Sequence, residues 1–210
     1  VGKVRRIYNA QKVGHAGTLD PLATGILPIA LGEATKTIPY IQDSLKTYEF
    51  SVTWGEQRST DDGEGEVITI SENRPAEDAI RKILPQFTGE IDQTPPRFSA
   101  IKIDGARAYD LARGGEDFEI ASRTVFIQSL ELLESKTDSA DFRMVCGKGT
   151  YVRSLARDMA LKLDTCGYVS ALRRTAVGGF AQENAILLDN LGDLSNIAGL
   201  NQALLPLEAA

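Results

Sequence analysis

The sequence predicts an α+β fold with a central, mostly antiparallel mixed sheet flanked by helices and loops. Candidate strands follow one another through turn signals rather than regular helical crossovers, and the candidate helices fall between them at irregular intervals. Size fits this reading: 210 residues, 42% apolar and 25% charged, can bury a substantial core without disulfides. No internal repeat, low-complexity tract or linker-like stretch interrupts the chain, so one continuous domain is expected.

Taken in order, residues 21–31 (PLATGILPIAL) are apolar, open on a proline and read as a short helix. Tyr48–Trp54 alternates and is half β-branched or aromatic, which marks a strand. The run STDDGEGE (59–66) is a turn signal, and a second strand follows at Val67–Ile70. Residues 76–87 set Ile80, Ile83, Leu84 and Phe87 at helical spacing behind Pro75. Between Gln93 and Arg123 the chain makes a long excursion with Pro95-Pro96, three glycines, several basic residues and a short helical piece around Ala106–Arg113. Strands are expected at about 124–134 and 141–147. A helix is expected over 151–163, with Val152, Leu155, Ala156, Met159 and Leu163 on one face. A last strand, 168–178, ends at Gly178-Gly179.

Composition narrows the function. One histidine (His15) and two cysteines (Cys146, Cys166) cannot furnish a tetrahedral zinc site, so no metal is expected. No apolar run reaches the ~18 residues of a membrane span, and the first residues lack a signal-peptide core, so a cytoplasmic protein is expected. A net charge of −6 argues on its face against nucleic-acid binding, but the charge is segregated. Residues 1–12 hold Lys3, Arg5, Arg6 and Lys12 with no acid. Arg143 to Arg174 holds seven bases against Asp158 and Asp164. Acids concentrate at Glu56–Glu66 and beyond Glu183. A basic face on an acidic body is possible if the basic segments meet in space.

Two segments bend local rules. In GHAGTLDPLATG (14–25), three glycines permit a tight backbone path, and Asp20-Pro21 reads as an N-cap followed by the first helical residue. In KGTYVRSLARD (148–158), Thr150 is the natural N-cap, which puts Arg153 third in the helix, where a capping box wants Glu and the helix dipole disfavours a cation. Arg153 makes sense there if it pairs with a carboxylate brought from elsewhere, and Asp20 is the attractive candidate.

Read together, these segments resemble the TruB family of tRNA pseudouridine synthases. GHAGTLDPLATG is similar to the family's catalytic-aspartate motif, and KTYEF (46–50) to its tyrosine strand. QTPPRFSAIKIDGARAYDLARGG (93–115) resembles its RNA-gripping thumb, and GKGTYVRSLARDMA (147–160) and ALRRTAVG (171–178) its remaining active-site motifs. The resemblance covers about residues 1–185 and implies a pseudouridine-synthase-like catalytic domain with a thumb-like RNA-binding insertion at 93–123. It implies further that an N-terminal strand is missing, that residues 186–210 form a C-terminal helical extension and that a PUA-like domain is absent. It implies conversion of the T-loop uridine of tRNA (position 55) to pseudouridine by a monomer that contacts the T arm, without cofactor or protein partner. Asp20 would be the nucleophile and Arg153 its ion-pair partner. Tyr48 would stack on the target base and share in proton transfer at C5, His15 would enter the space left by the flipped nucleotide, and Leu172 would pack on the base. Lys148, Tyr151, Arg97 and Arg174 would also bind substrate.

The chemistry suits these residues. Exchanging the N1–C1′ bond for C5–C1′ needs no redox change or energy input, only a nucleophile for ribose C1′ or base C6, and a base for the C5 proton. Asp can serve at either atom. The target base must leave its stack, at a cost of about a few kcal/mol that stacking in the pocket offsets. Two other readings exist. A non-catalytic tRNA-binding or folding module would use the same basic face. A glycosidase would require a second carboxylate ~5–9.5 Å from Asp20, for which the sequence offers no convincing candidate.

Overall fold

The computed structural model describes residues 1–103, 105–193 and 203–205. Along the chain come α1 (Gly2–Ile7), β1 (Val13–His15), β2 (Ala23–Gly25), β3 (Ile29–Leu31), α2 (Ile38–Asp43), β4 (Lys46–Trp54), β5 (Glu56–Arg58) and β6 (Val67–Ile70). Then follow α3 (Glu77–Ile83), β7 (Gly89–Gln93), β8 (Lys102–Ile103), β9 (Ala106–Arg107), α4 (Ala108–Arg113), β10 (Arg123–Ser135) and β11 (Ser139–Cys146). The described elements end with α5 (Val152–Lys162), β12 (Gly167–Val177), β13 (Phe180–Ala181) and α6 (Leu188–Asp193). The fold is α+β, as expected. Two compact units divide the chain: Val1–Thr47 with Arg173–Ala210, and Tyr48–Leu172. Both crossings fall inside strands, β4 and β12, so no Gly/Pro/Ser-rich linker marks them in the composition.

In the first unit β1 and β3 pair antiparallel, with Val13 opposite Leu31 and His15 opposite Ile29. The far half of β12 turns at Gly178 (φ +53°) and pairs with β13. Ala16, Ile26, Ile41 and Val177 form a small core, with Ile38 and Phe180 packed against it. The helix expected over 21–31 is absent. Asp20 to Ala23 is a turn closed by the Ala23 N–H on the Asp20 carbonyl (2.9 Å), and β2 and β3 occupy the rest. The apolar run splits because Gly25 takes φ +101°, which no helix accommodates. The C-terminal helical extension expected over 186–210 is represented by α6; residues 194–202 and 206–210 lie outside the described residues.

In the second unit the strands run in the order β12, β4, β11, β10, β7. The β10–β11 and β10–β7 pairs are antiparallel, with Leu130 opposite Met144 and Val125 opposite Ile91. Alternation along β4 and β11 sends Phe50 and Phe142 into stacked contact (centroids 5.3 Å), with Trp54 edge-on to Phe142 at 6.5 Å. Leu155 and Met159, one turn apart on α5, are also fully buried. The periodic stretch 76–87 yields α3 and then a 3₁₀ turn, Leu84–Phe87, in which Pro85 has no amide to continue the α-helix. The excursion after Gln93 contains the β8–β9 hairpin and α4.

Candidate active site

In the first unit, the chain between β1 and β3 forms the loop that carries Asp20. Gly17 and Gly25 both take φ +101°. At Gly25 a Cβ would lie 2.1 Å from the Arg174 carbonyl oxygen, so no other residue fits there without moving β12. The Ile26 N–H donates to that same carbonyl (2.8 Å), and the Ala16 N–H to the Pro28 carbonyl (3.0 Å). Asp20 is half-buried at the turn. It caps no helix: it opens a β-turn with Pro21 in the second position, where the fixed φ of proline fits as well as at a helix start. His15, at the end of β1, is half-buried, and its Nδ1 is buried without a hydrogen-bond partner among the described residues. Arg174, expected to touch substrate, points inward instead and is only 2% exposed. Its Nε donates to the Ile26 carbonyl (2.8 Å), Nη1 to Thr18 (3.4 Å) and Nη2 to Gly17 (3.1 Å). Alternation along β12 fixes this, since neighbouring Arg173 faces out.

In the second unit, helix α5 carries the predicted arginine. Its N-cap is Tyr151 rather than Thr150, and no side chain caps it. The Thr150 hydroxyl donates back to the Gly147 carbonyl (3.2 Å), so Arg153 is the second helical residue, not the third. Gln93, 1% exposed, substitutes for a cap. Its Oε1 accepts from the Tyr151 N–H (2.7 Å) and its Nε2 donates to the Tyr151 carbonyl (3.0 Å). Ser154 Oγ donates to the Thr94 carbonyl (2.8 Å), tying the same turn to the root of the 93–123 excursion.

Arg153 is buried rather than on a solvated face. Nη1 donates to the Thr60 carbonyl (3.0 Å) and Nη2 to Phe98 (3.1 Å), and the buried Asp62 carboxylate lies 3.5 Å away. The unfavourable position against the helix dipole is thus offset by a carboxylate and two carbonyls. One turn on, Arg157 pairs with Asp61 at 2.9 Å and donates to Asp158 (3.0 Å) and the Thr94 carbonyl (2.9 Å). Burial pushes the Asp61 carboxyl up to about 6 despite Arg157, and raises Asp158 for the same reason. Asp62 accepts from Thr60 Oγ1 (2.5 Å) and the Glu64 N–H (3.0 Å).

Thr60, Asp61, Asp62, Gln93 and Arg157 are therefore the residues that sequence reasoning missed. The sequence marks 59–66 as a turn signal within an acidic stretch. The available signal was an Arg153/Arg157 pair at i,i+4 on an otherwise apolar helix face, which requires two acids to meet it.

The other expected site residues are distributed as follows. Tyr48 is half-buried on β4, Leu172 is buried on β12, and Lys148 is exposed between β11 and α5. The Tyr151 ring lies under the Arg123 guanidinium (5.1 Å), which also donates to the Gly149 carbonyl (2.5 Å). Arg97 is exposed and sits over the Phe118 ring (4.8 Å), donating to the Glu116 carbonyl (3.0 Å) with Asp117 at 3.7 Å. Asp20, His15 and Arg174 thus share one loop system in the first unit. Arg153 and Tyr151 share one helix start in the second, which begins three residues after Lys148. No helix among the described residues is long and apolar enough to cross a membrane.

Comparison with known proteins agrees with these motifs. The family model for the N-terminal domain of TruB family pseudouridylate synthases matches residues 5–152, and that for the tRNA pseudouridylate synthase B C-terminal domain matches residues 153–210. The chain is 56% identical over its whole length to the tRNA pseudouridine synthase B of Caulobacter vibrioides, covering 68% of that protein. It is 58% identical to that of Agrobacterium fabrum, covering 67%. Among solved structures it resembles a chain of a Cbf5–Nop10–Gar1 complex, with a TM-score of 0.73 and 30% identity over 99% of this chain and 55% of that one. A chain of an archaeal box H/ACA Nop10–Cbf5 complex gives the same TM-score at 26% identity, again over 55% of its length. On the length of the family match and the identity to these relatives, the chain belongs to the TruB family of pseudouridylate synthases.

Proposed function

We propose that the chain isomerises uridine to pseudouridine in tRNA, at position 55 of the T loop, with Asp20 as nucleophile. The observation that carries this reading is the Asp20 turn itself. A half-buried carboxylate stands on a short β-turn between two glycines of positive φ, within the residues that the N-terminal family model matches. A carboxylate so placed is held by its backbone rather than by a long flexible stem, which favours attack along one direction.

In the proposed reaction the Asp20 carboxylate adds to ribose C1′ or to base C6, and the N1–C1′ bond breaks. The uracil turns, the C5–C1′ bond forms, and the adduct with Asp20 is released. C5 then loses its proton while N1 gains one, so the product is an isomer of the substrate. Tyr48 stacks on the base and shares in the C5 proton transfer, Leu172 packs against it, and His15 fills the vacated position in the RNA. Arg153 keeps the nucleophile ionised as its ion-pair partner, and its burial among carbonyls supports a fixed orientation for its guanidinium. Lys148, Tyr151 and Arg97 contact the T arm.

The test is incubation with an unmodified tRNA transcript and mapping of pseudouridine at single-nucleotide resolution. Product at position 55 is expected from the native chain. None is expected from Asp20→Asn, with tRNA binding retained. Product from Asp20→Asn would overturn the assignment of the nucleophile, and tRNA binding without product in the native chain would favour a non-catalytic binding module.

A further inference from the structure

We propose that Arg174 is the positioning residue of the nucleophile loop, holding both of its feet so that Asp20 meets the substrate in one geometry; this rests on the reading of Asp20 as nucleophile. The three bonds of its guanidinium end on main-chain carbonyls, two before Asp20 (Gly17 and Thr18) and one after it (Ile26). The Arg174 main chain grips the same segment through the Ile26 amide, and Gly25 is the residue that lets the two backbones approach. Between those feet the loop closes the Asp20–Ala23 turn on itself, and β2 then pairs with β12. Where residues 17–18 and 26 are held thus bears directly on the angle at which Asp20 leaves the fold.

The choice of side chain supports a geometric role. Burying a guanidinium is costly, and a loop that needed only anchoring would be held more cheaply by apolar packing. What a planar fork adds is donors on three nitrogens in a fixed geometry, which spans carbonyls on both sides of the loop as the single nitrogen of an ammonium, or a methyl group, does not. Arg174 does this from within a strand, which suits a residue that must fix another one's aim.

The experiment uses the full chain with Arg174→Lys and Arg174→Met. Single-turnover rates at saturating enzyme, tRNA dissociation constants across a salt series, and amide hydrogen exchange are measured for each. Arg174→Met is expected to lower the saturated rate by about 100-fold, the usual consequence of ångström-scale misplacement. Arg174→Lys, which keeps the charge and donors on a single nitrogen, should fall less. Dissociation constants should stay within about threefold and the salt slope should not change, because a buried guanidinium releases no phosphate counterions. Exchange at residues 16–26 should accelerate while β10 and β11 stay protected.

Weaker binding with a shallower salt slope and an unchanged saturated rate would overturn the proposal by making Arg174 a phosphate contact. Unchanged rates in both variants would overturn it as well. Should Arg174→Met fail to fold, Arg174→Lys carries the same comparison. If Asp20→Asn still forms product, the nucleophile reading fails on its own, and the exchange data still decide whether Arg174 holds the loop.

Discussion

Replacing Asp61 by Asn tests how the buried acids of the second unit are balanced. Asp61 lies at φ +58°, a region that Asn tolerates as readily as Asp, so the substitution removes charge without changing shape. Burial pushes its carboxyl from 3.8 up to about 6, the Arg157 ion pair offsetting only part of the effect. A carboxyl whose pKa is raised by folding binds its proton more tightly in the native state. Its contribution is therefore fully present below the unfolded value and is lost as pH rises through the native one. The whole effect is about 3 kcal/mol, and the part falling between pH 5 and pH 7.5 is about 1.4 kcal/mol. Urea denaturation of the native chain and Asp61→Asn at both pH values isolates it, since other titrating groups are common to both proteins. Relative to Asp61→Asn, the native chain should be more stable at pH 5 than at pH 7.5 by that amount, with equal m-values. A pH-independent difference, or one that grows with rising pH, would refute the reasoning and show that Arg157 holds Asp61 ionised.

Three further outcomes follow from the contacts. Gly25→Ala forces a Cβ against the Arg174 carbonyl at a left-handed φ, and thermal or urea melts should show a loss of roughly 2–5 kcal/mol. Gln93→Leu keeps the volume but strands the Tyr151 amide, at a cost of about 1–3 kcal/mol, while the Tyr151 carbonyl keeps the Leu155 N–H; hydrogen exchange should show the first turn of α5 opening before its centre. Arg153→Met leaves the Asp62 carboxylate buried without its cation. Denaturation should show a loss of about 3–5 kcal/mol that shrinks in the Arg153→Met/Asp62→Leu double variant.

Local pattern predicted what local pattern controls. Strands β4, β10, β11 and β12 and helix α5 were legible because each buries one face, and burying one face imposes a period on the sequence. The segment 21–31 departs from the helix its sequence predicts because Asp-Pro before an apolar run satisfies a helix start and a β-turn equally well. What decides between them is the approach of β12 to Gly25, about 150 positions away in sequence. The mismatch at Arg153 was visible in the sequence, but its partners were not: Thr60 lies 93 residues away and Phe98 lies 55. Asp61 and Asp62 were hidden by their setting, since acids among glycines ordinarily belong to solvent.

The same contacts change what the charge distribution means. Counting bases from Arg143 to Arg174 suggested a phosphate-binding surface, yet Arg153, Arg157 and Arg174 are largely buried and bonded within the protein. Arg143 pairs with Glu49 at 2.8 Å, and Lys148, Lys162 and Arg173 are the other exposed bases of this stretch. At the N-terminus Arg5 donates to the Ala10 and Gln11 carbonyls, and Lys3 pairs with Asp189. Much of the arginine in this chain is thus committed to organising loops that have no ladder of their own, a task for which a five-donor planar group is better suited than any other side chain. A protein that spends cations this way binds a polyanion with fewer phosphate contacts than its sequence implies. The salt dependence of its tRNA affinity should therefore follow the exposed lysines and Arg173 rather than the total count of bases.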